Sequence, residues 1–529
     1  MIDYSRGNCS TSVKDDSPFL IRWDLKHIMG LMSGSKRDLH LEKLKGGLED
    51  YEAYKIDSFF SCLDKKIDLP ILGKSLLHEH FIHGFEYYLE KGKSVDEITS
   101  ILSLDNLGSF YNSRSRKAYS LDNAAIIYPL GMKYNQMPMF RLSFELKEEI
   151  EPVLLQLALD FTLKRFPTFS AIIKNGFFWH YLESVNNVIV IEEEKDIPCK
   201  PISITLRTYK SLRVLYYRKR LSVEYFHAIT DGSGGMVFLK TLLSEYLRLK
   251  GVSVKKEKGV LDSNGEVDEK ELVNEFKNAK GEPSFSTFMD KKSVQLTGKL
   301  SNLNITRITH FVMESDKLLE KARSYDSTIT SYLTALMFMA ADKCTKKKGI
   351  FNIQIPVNMR KFDGSITLRN YSMYFNACME LGKLPEKEEL IKEINRQIKE
   401  KGSQSNMYQM VQTTEMLIDS LSFVPLFLKV PIMQNVYGYM SNSIISDTLS
   451  NLGVVDLPEG MEEEVEKAYF LLVPGKPNRV ASTLVTVNGT VVFTIIKNSN
   501  DPSFEELLYE YLEKDGILKQ VEGSVEYES

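Results

Sequence analysis

The sequence predicts an α/β protein (an α+β sandwich) of two sheet-bearing lobes behind a helical N-terminal extension. Three observations carry this. At 529 residues the chain exceeds what one hydrophobic core organises. From about residue 119 onward, strands alternate with helices, and the alternation runs through twice. Residues before that point show helical spacing alone. The chain therefore divides into a helical extension at 1–118, a first lobe at 119–290, a second lobe at 291–519 and a tail at 520–529.

Composition narrows the class. A hydrophobic share of 43% and a charged share of 26% are ordinary for a soluble globular protein. A formal net charge of -4 gives no basic footprint for nucleic acid. Cys9, Cys62, Cys199, Cys344 and Cys378 are scattered, with no CxxC pair. That pattern points away from a disulfide framework or a zinc site and toward a reducing cytoplasm. The polar start MIDYSRGNCSTSVKDDSPF has no apolar core of the secretory kind. No apolar run is long enough to span a bilayer; 421-LSFVPLFLKVPIM-433 is short and broken by Pro425, Lys429 and Pro431.

In the extension, 37-RDLHLEKLKGGLEDYEAYKIDSFFSCL-63 and 76-LLHEHFIHGFEYYLEKG-92 place apolar residues three and four apart, and Gly92 is a helix stop. In the first lobe, 139-MFRLSFEL-146 alternates as a strand and 151-EPVLLQLALDFTLKRFP-167 has helical spacing up to Pro167. The stretch 169-FSAIIKNGFFWHYLE-183 reads as a hairpin turning at Asn175-Gly176, and 211–228 as a second strand pair. Residues 251–283 are charged and poor in apolar groups, an exposed loop or crossover. In the second lobe, strand 305–314 precedes helices 316–324 and 328–343. Strand 350–358 and helix 387–400 follow. Hairpin 480–496 turns at Asn488-Gly489, and helix 503–516 closes the unit.

Chemistry concentrates in 223-VEYFHAITDGSGGMVFLKTLLSEYLRLKG-251. Alternation puts Val223, Tyr225 and His227 on one strand face. From Met236 the positions Leu239, Leu243, Tyr246 and Leu247 mark a helix stripe. His227 thus ends a strand and opens a loop. Its imidazole is the side chain whose ordinary pKa, ~6.5, lies near working pH, so it can take a proton from an attacking alcohol, amine or thiol. Asp231 is too close in sequence to be assumed a triad partner; it could instead hold the loop by pairing with an arginine, fixing the histidine indirectly. Gly232, Gly234 and Gly235 permit close approach of backbone to a ligand, and N–H groups at the helix start, near Gly235, could face developing negative charge. The competing reading is a packed histidine at a strand end.

HAITDG at 227–232 resembles the HxxxDG motif of the chloramphenicol acetyltransferase-like superfamily, which includes condensation domains and BAHD acyltransferases. Bacterial alcohol acetyltransferase-like proteins are the closest likeness. 121-LDNAAIIYP-129, 164–183, 354-QIPVNMRKFDGSITLRNYSMYFNA-377 and 449-LSNLG-453 resemble further segments of that superfamily in the same order, covering roughly 119–519. The resemblance implies two lobes, each a mixed sheet flanked by helices, meeting at a tunnel. It implies acyl transfer from a thioester, acyl-CoA or acyl-phosphopantetheine on a carrier protein, to a hydroxyl or amine, without a covalent acyl-enzyme. His227 matches the general base, Asp231 the structural aspartate and Gly232 the motif glycine. Arg360 is the arginine implied for Asp231. No metal and no permanently bound cofactor are implied. Two departures stand out: Phe226 replaces the first histidine of the paired-histidine members, and no DFGWG motif is present. Ser450 and Asn451, with the backbone at Gly235, are the candidates for stabilising an oxyanion or lining the tunnel.

Other stretches admit plainer readings. Residues 415–445 read as buried helices, or else as the lining for an acyl chain or a face in transient contact with a membrane. Residues 94–117 have a helix-turn-helix cadence ending in Arg114 and Arg116, against the plainer reading of helices packed on the first lobe. His78, His80 and His83 share one helix without a Cys pair, which argues against a metal site. Two alternatives to a CoA-dependent acyltransferase stay open: a non-catalytic acyl- or lipid-binding regulatory protein, and a stand-alone condensation enzyme served by an acyl carrier protein.

Overall fold

In the computed structural model the residues described are 34–523, apart from 109–110, 112–116, 132–136, 186, 201–203, 206–207, 210, 285–290, 302–304 and 476–477. The extension forms α1 (Gly34–Lys45), α2 (Asp50–Lys66), α3 (Ile71–Glu90) and α4 (Val95–Ile101). The sequence stretch 37–63 is therefore two helices, parted at Gly46-Gly47, where Gly47 takes a positive φ. In chain order the next elements are β1 (Ala118–Ser120), α5 (Ile127–Gly131), β2 (Met139–Leu146), α6 (Pro152–Thr162), β3 (Ala171–Asn175) and β4 (His180–Ser184). Short strands β5 (Glu192–Glu193), β6 (Ile204–Thr205) and β7 (Thr208–Tyr209) lead to β8 (Leu212–Tyr217), β9 (Arg220–Phe226) and α7 (Gly232–Lys250).

The second lobe opens with β10 (Arg307–Glu314), α8 (Ser315–Arg323), α9 (Ile329–Cys344), β11 (Ile350–Asn358), α10 (Arg360–Asp363) and β12 (Ser372–Glu380). Then come α11 (Lys387–Lys401), α12 (Gln404–Ser420), α13 (Leu426–Ile444), β13 (Asp447–Val454) and β14 (Val465–Leu472). It closes with β15 (Val480–Val487), β16 (Thr490–Lys497), α14 (Ser503–Lys514) and β17 (Leu518–Gly523).

The architecture is α/β with mixed sheets flanked by helices. The strands form three sheets rather than two, in the orders β1-β4-β3-β7-β6, β14-β2-β9-β8-β5 and β12-β11-β13-β15-β16-β10-β17. β14 lies within 291–519, yet it pairs antiparallel with β2 in the first lobe's sheet, so the second half of the chain lends a strand to the first. Near the end of the described residues, Leu518–Gly523 form β17, paired antiparallel with β10 along the sheet edge.

The hairpins differ in an informative way. Asn488 and Gly489 both take positive φ, as a two-residue turn between right-twisting strands requires. At Asn175-Gly176 the turn is longer. Asn175 pairs with His180, leaving 176–179 as the loop. The second lobe claims that loop. Leu426 N donates to the Phe177 carbonyl (2.8 Å), Lys429 Nζ donates to the Phe178 carbonyl (2.9 Å), and the Lys429 ammonium sits 3.1 Å from the Trp179 ring centroid.

The extension has no core of its own. Ile56, Phe60, Leu77, Phe81 and Phe85 belong to the same apolar cluster as Leu154, Leu157 and Phe161 of α6. A Cβ added at Gly84 would stand 2.8 Å from Leu157 Cδ1, so the two helices touch at that glycine. His80 Nδ1 lies 2.7 Å from Asp160 Oδ2 in a fully buried pair, and His78 Nε2 lies 3.0 Å from Asp64. Among the described residues no group of His, Cys, Asp and Glu is arranged to hold a metal ion. The turn in the 94–117 stretch is a 3-10 turn at Leu104–Leu107, and Arg114 and Arg116 fall outside the described residues. Among the described residues no helix is long and apolar enough to cross a membrane.

The 415–445 stretch is not simply interior. Phe423 is 86% exposed and Phe427 71%, while Lys429 is 2% exposed. Leu417, Leu428 and Ile432 are exposed as well. The start of α13 thus turns its one cation inward and its large apolar groups outward.

Candidate active site

β2 and β9 bring the histidine to the lobe junction. Their ladder runs from Glu145↔Arg220 to Met139↔Phe226, and the next N–H, that of His227, still donates to the Pro138 carbonyl (2.9 Å). The backbone of His227 is therefore held by the sheet, while its side chain lies beyond the sheet's end. Tyr128 of α5 stacks on the imidazole at 4.7 Å between centroids, and Phe140 of β2 meets it edge-on at 5.0 Å. The residue as a whole is half-buried. Its hydrogen bonding runs through Nδ1, which lies 3.1 Å from Asn370 Nδ2 and faces the residue's own carbonyl. Among the described residues no hydrogen bond engages Nε2. Burial lowers the pKa of His227 below its ordinary value; the bond to its own carbonyl and the charge of Asp231 oppose the shift without cancelling it.

Asp231 organises the loop behind the ring. It is the N-cap of α7: Oδ1 accepts from Ser233 N (3.1 Å) and Gly234 N (3.0 Å). Oδ2 reaches across to the second lobe, accepting from Arg360 Nη1 (2.7 Å) and Tyr371 N (2.8 Å). Arg360 completes the clamp by donating Nε to the Thr367 carbonyl (2.8 Å) and Nη2 to the Arg369 carbonyl (2.6 Å). Asp231 and Arg360 are thus brought together as an ion pair that fixes backbone on both sides. Neither side chain hydrogen-bonds the His227 ring.

The glycines matter through close approach. A Cβ at Gly234 would stand 2.3 Å from the Leu368 carbonyl oxygen, so only glycine admits the second-lobe loop there. A Cβ at Gly232 would stand 2.5 Å from Leu452 Cδ2, where β13 crosses the start of α7. Gly235 is different. Its N–H donates to the Asp231 carbonyl (2.9 Å) and its carbonyl accepts from Tyr225 OH (2.7 Å). The N–H proton that the sequence offered for an oxyanion is already engaged, and the two helix-start N–H groups before it, those of Ser233 and Gly234, are taken by the Asp231 side chain.

Asn451 is tied into the second lobe: Nδ2 donates to Thr330 Oγ1 (2.9 Å) and Oδ1 accepts from Gly453 N (2.7 Å). Ser450 lies beside Thr483 on the β13–β15 ladder. Neither side chain has a contact with His227. A cavity of about 270 Å³ opens between α7 and the end of β13, lined by Gly232, Met236, Lys240, Leu452 and Asp456. It adjoins the motif loop, and His227 is not part of its wall.

One residue at the histidine escaped sequence reasoning. Asn370, between β11 and β12, places Nδ2 3.0 Å from the His227 carbonyl and 3.1 Å from His227 Nδ1. It is held in turn by Asp122 of the first lobe, whose Oδ2 accepts from Asn370 N (3.2 Å). The stretch carrying it was legible as a second-lobe segment, but a single asparagine in a loop has no period to single it out.

No family model and no curated protein matches the chain. Solved structures do. The first condensation domain of the calcium-dependent antibiotic synthetase superposes with a TM-score of 0.53 at 11% identity, covering 76% of this chain and 96% of that one. F. graminearum TRI101, solved with coenzyme A and T-2 mycotoxin, gives 0.52 at 11% identity, covering 76% and 99%. Polyketide synthase associated protein 5 from Mycobacterium tuberculosis gives 0.50 at 11%, covering 75% and 98%. The chain has the fold of the chloramphenicol acetyltransferase-like and condensation-domain superfamily. The quarter of the chain left uncovered is of the size of the helical extension.

Proposed function

We propose that this protein is an acyltransferase that moves an acyl group from a thioester, acyl-CoA in the first instance, to a hydroxyl or amine. The observation that carries the reading is the His227 ring. Burial disfavours its charged form, the residue is half-buried, Tyr128 stacks on the ring and Phe140 meets it edge-on, and among the described residues no hydrogen bond engages Nε2. In the reaction, Nε2 takes the proton from the acceptor as its oxygen or nitrogen attacks the thioester carbonyl. A tetrahedral intermediate forms, the carbon–sulfur bond breaks, and the imidazolium returns the proton to the departing thiolate. No acyl-enzyme is needed. Asp231 and Arg360 hold the loop that positions the ring, and Gly232 and Gly234 let the lobes meet there. The solved structures that share the fold include one with coenzyme A bound and one condensation domain, which supports a pantetheine-bearing donor.

The acceptor lies within the alcohol, amine or lipid class, with an alcohol acetyltransferase-like activity the reading nearest the sequence. The outward apolar groups of α13 support transient contact with a lipid surface. Free thiols at Cys62, Cys199, Cys344 and Cys378 support a cytoplasmic setting.

The test is thiol release from a panel of acyl-CoAs with alcohol and amine acceptors. Turnover is expected, and His227→Ala is expected to lower it by roughly 10²–10⁴-fold with thermal unfolding unchanged. Full activity in His227→Ala excludes the mechanism. Tight acyl-CoA binding with no turnover favours the non-catalytic alternative. Turnover with acyl-carrier protein alone favours the stand-alone condensation enzyme.

A further inference from the structure

The ring of His227 can serve as a base through Nε2 only if the proton of the neutral imidazole sits on Nδ1. Two groups lie against Nδ1 and compete to set that tautomer: the carbonyl of the same residue, which accepts from Nδ1–H, and the amide nitrogen of Asn370, which can only donate. A carbonyl carries two lone pairs, and the second partner of this one is Asn370. The Asn370 Nδ2 is 3.0 Å from the oxygen and 3.1 Å from Nδ1: with its hydrogen on the oxygen it converges with Nδ1–H on one acceptor, whereas with its hydrogen on Nδ1 it would make that nitrogen the acceptor and favour the Nε2–H ring. The amide is almost wholly buried and has no freedom to turn: Oδ1 accepts from Ser372 Oγ (3.0 Å), and Asn370 N is bonded to Asp122. Its flanking residues are anchored as well, Arg369 through its carbonyl to Arg360 and Tyr371 through its N–H to Asp231. Two aspartates of the first lobe, Asp122 and Asp231, thus pin this loop on either side of a single side chain aimed at the histidine.

We propose that Asn370 is a positioning residue for acyl transfer: by holding the His227 carbonyl it keeps Nδ1–H directed at that oxygen and Nε2 free for the acceptor proton. This rests on His227 being the base. It also explains why the histidine needs no carboxylate partner of its own, since Asp231 is fully occupied elsewhere.

The prediction separates positioning from mere packing. Asn370→Ala lowers kcat by about 10–10²-fold, the scale expected of a slightly misaligned base, while KM for donor and acceptor changes little. Asn370→Asp keeps the volume but puts a carboxylate beside Nδ1–H, which favours the imidazolium. The acid limb of its kcat/KM profile therefore moves to higher pH. In protein labelled with ¹⁵N-histidine, with His227 assigned by its loss in His227→Gln, the neutral wild-type ring shows the Nδ1–H signature, and Asn370→Ala admits the Nε2–H form. An unmoved pH profile in Asn370→Asp, or an Nε2–H ring in the wild type, overturns the proposal. If Asn370→Ala fails to fold, Asn370→Asp and the wild-type spectrum decide it. Normal activity in His227→Ala would sink the acyltransfer mechanism itself; an inactive His227→Ala with unaltered Asn370 variants would sink this inference alone.

Discussion

At His227 the imidazole is confined on its faces by Tyr128 and Phe140 and at its Nδ1 side by its own carbonyl. Apolar neighbours penalise the charged ring, and its pKa falls below the ordinary ~6.5. A base must be unprotonated to act, so lowering its pKa extends activity toward acid. The expected kcat/KM profile is therefore flat at neutral pH and declines only below about pH 6.5, through an apparent pKa under the free-histidine value. A decline centred above pH 7 would contradict this. Tyr128→Ala, which opens one face of the ring to water, should move the decline upward. At this scale the sequence was informative where chemistry and spacing coincide. His227, Asp231 and Gly232 stand in one short run, and Arg360 followed from the resemblance. Asn370 and Tyr128 were not singled out, because they reach the histidine through folding of separate segments and neither carries a local signature.

The loop from Met359 to Tyr371 and the start of α7 form one mechanical unit. Asp231 caps the helix with one oxygen and holds the second lobe with the other. Removing it leaves Arg360 largely buried without its partner, a change that costs about 3–5 kcal/mol for buried pairs, and removes a cap worth ~1 kcal/mol. Asp231→Ala is therefore expected to lower the urea midpoint substantially. Arg360→Ala should do likewise, by taking from Asp231 its charged partner and from two loop carbonyls a donor. Because both break one contact, the double variant should be less destabilised than the sum, with a coupling energy of roughly 0.5–3 kcal/mol. Strict additivity would mean that the two residues act independently. Most elements were legible in the chain because their periods are strong, as in α9, β11 and α11. The hairpin at Asn175-Gly176 misled because Asn-Gly signals a tight turn, while Phe177 and Phe178 offer their carbonyls to α13 and lengthen the loop. Local turn chemistry lost to a tertiary contact.

Across the whole molecule the two halves of the chain are interleaved. β14 completes the first lobe's sheet, Asp122 and Asp231 grip a second-lobe loop, and α13 packs on α5, whose Tyr128 covers the histidine. None of these exchanges has a period along the chain, which is why the alternation of strands and helices revealed two lobes but not their shared strand. The same interleaving sets the outer face of α13 one helix away from His227. That face exposes Phe423, Phe427, Leu428 and Ile432, with Phe177 and Phe178 of the β3–β4 loop beside it. Residues 420–446 contain no carboxylate, and their one cation, Lys429, is turned inward onto Trp179. Little charge would have to be desolvated if the face met a lipid surface, and side chains this exposed project far enough to enter one. Phosphatidylcholine vesicles are therefore expected to sediment the protein and to shift the emission of Trp179 to the blue in a Trp23→Phe background. Phe423→Asp with Phe427→Asp should abolish both effects while leaving thiol release from short acyl-CoAs with a water-soluble acceptor intact. Self-association through this face, seen as a dimer that the same pair of substitutions dissolves and that vesicles do not compete with, would show instead that a second copy covers it.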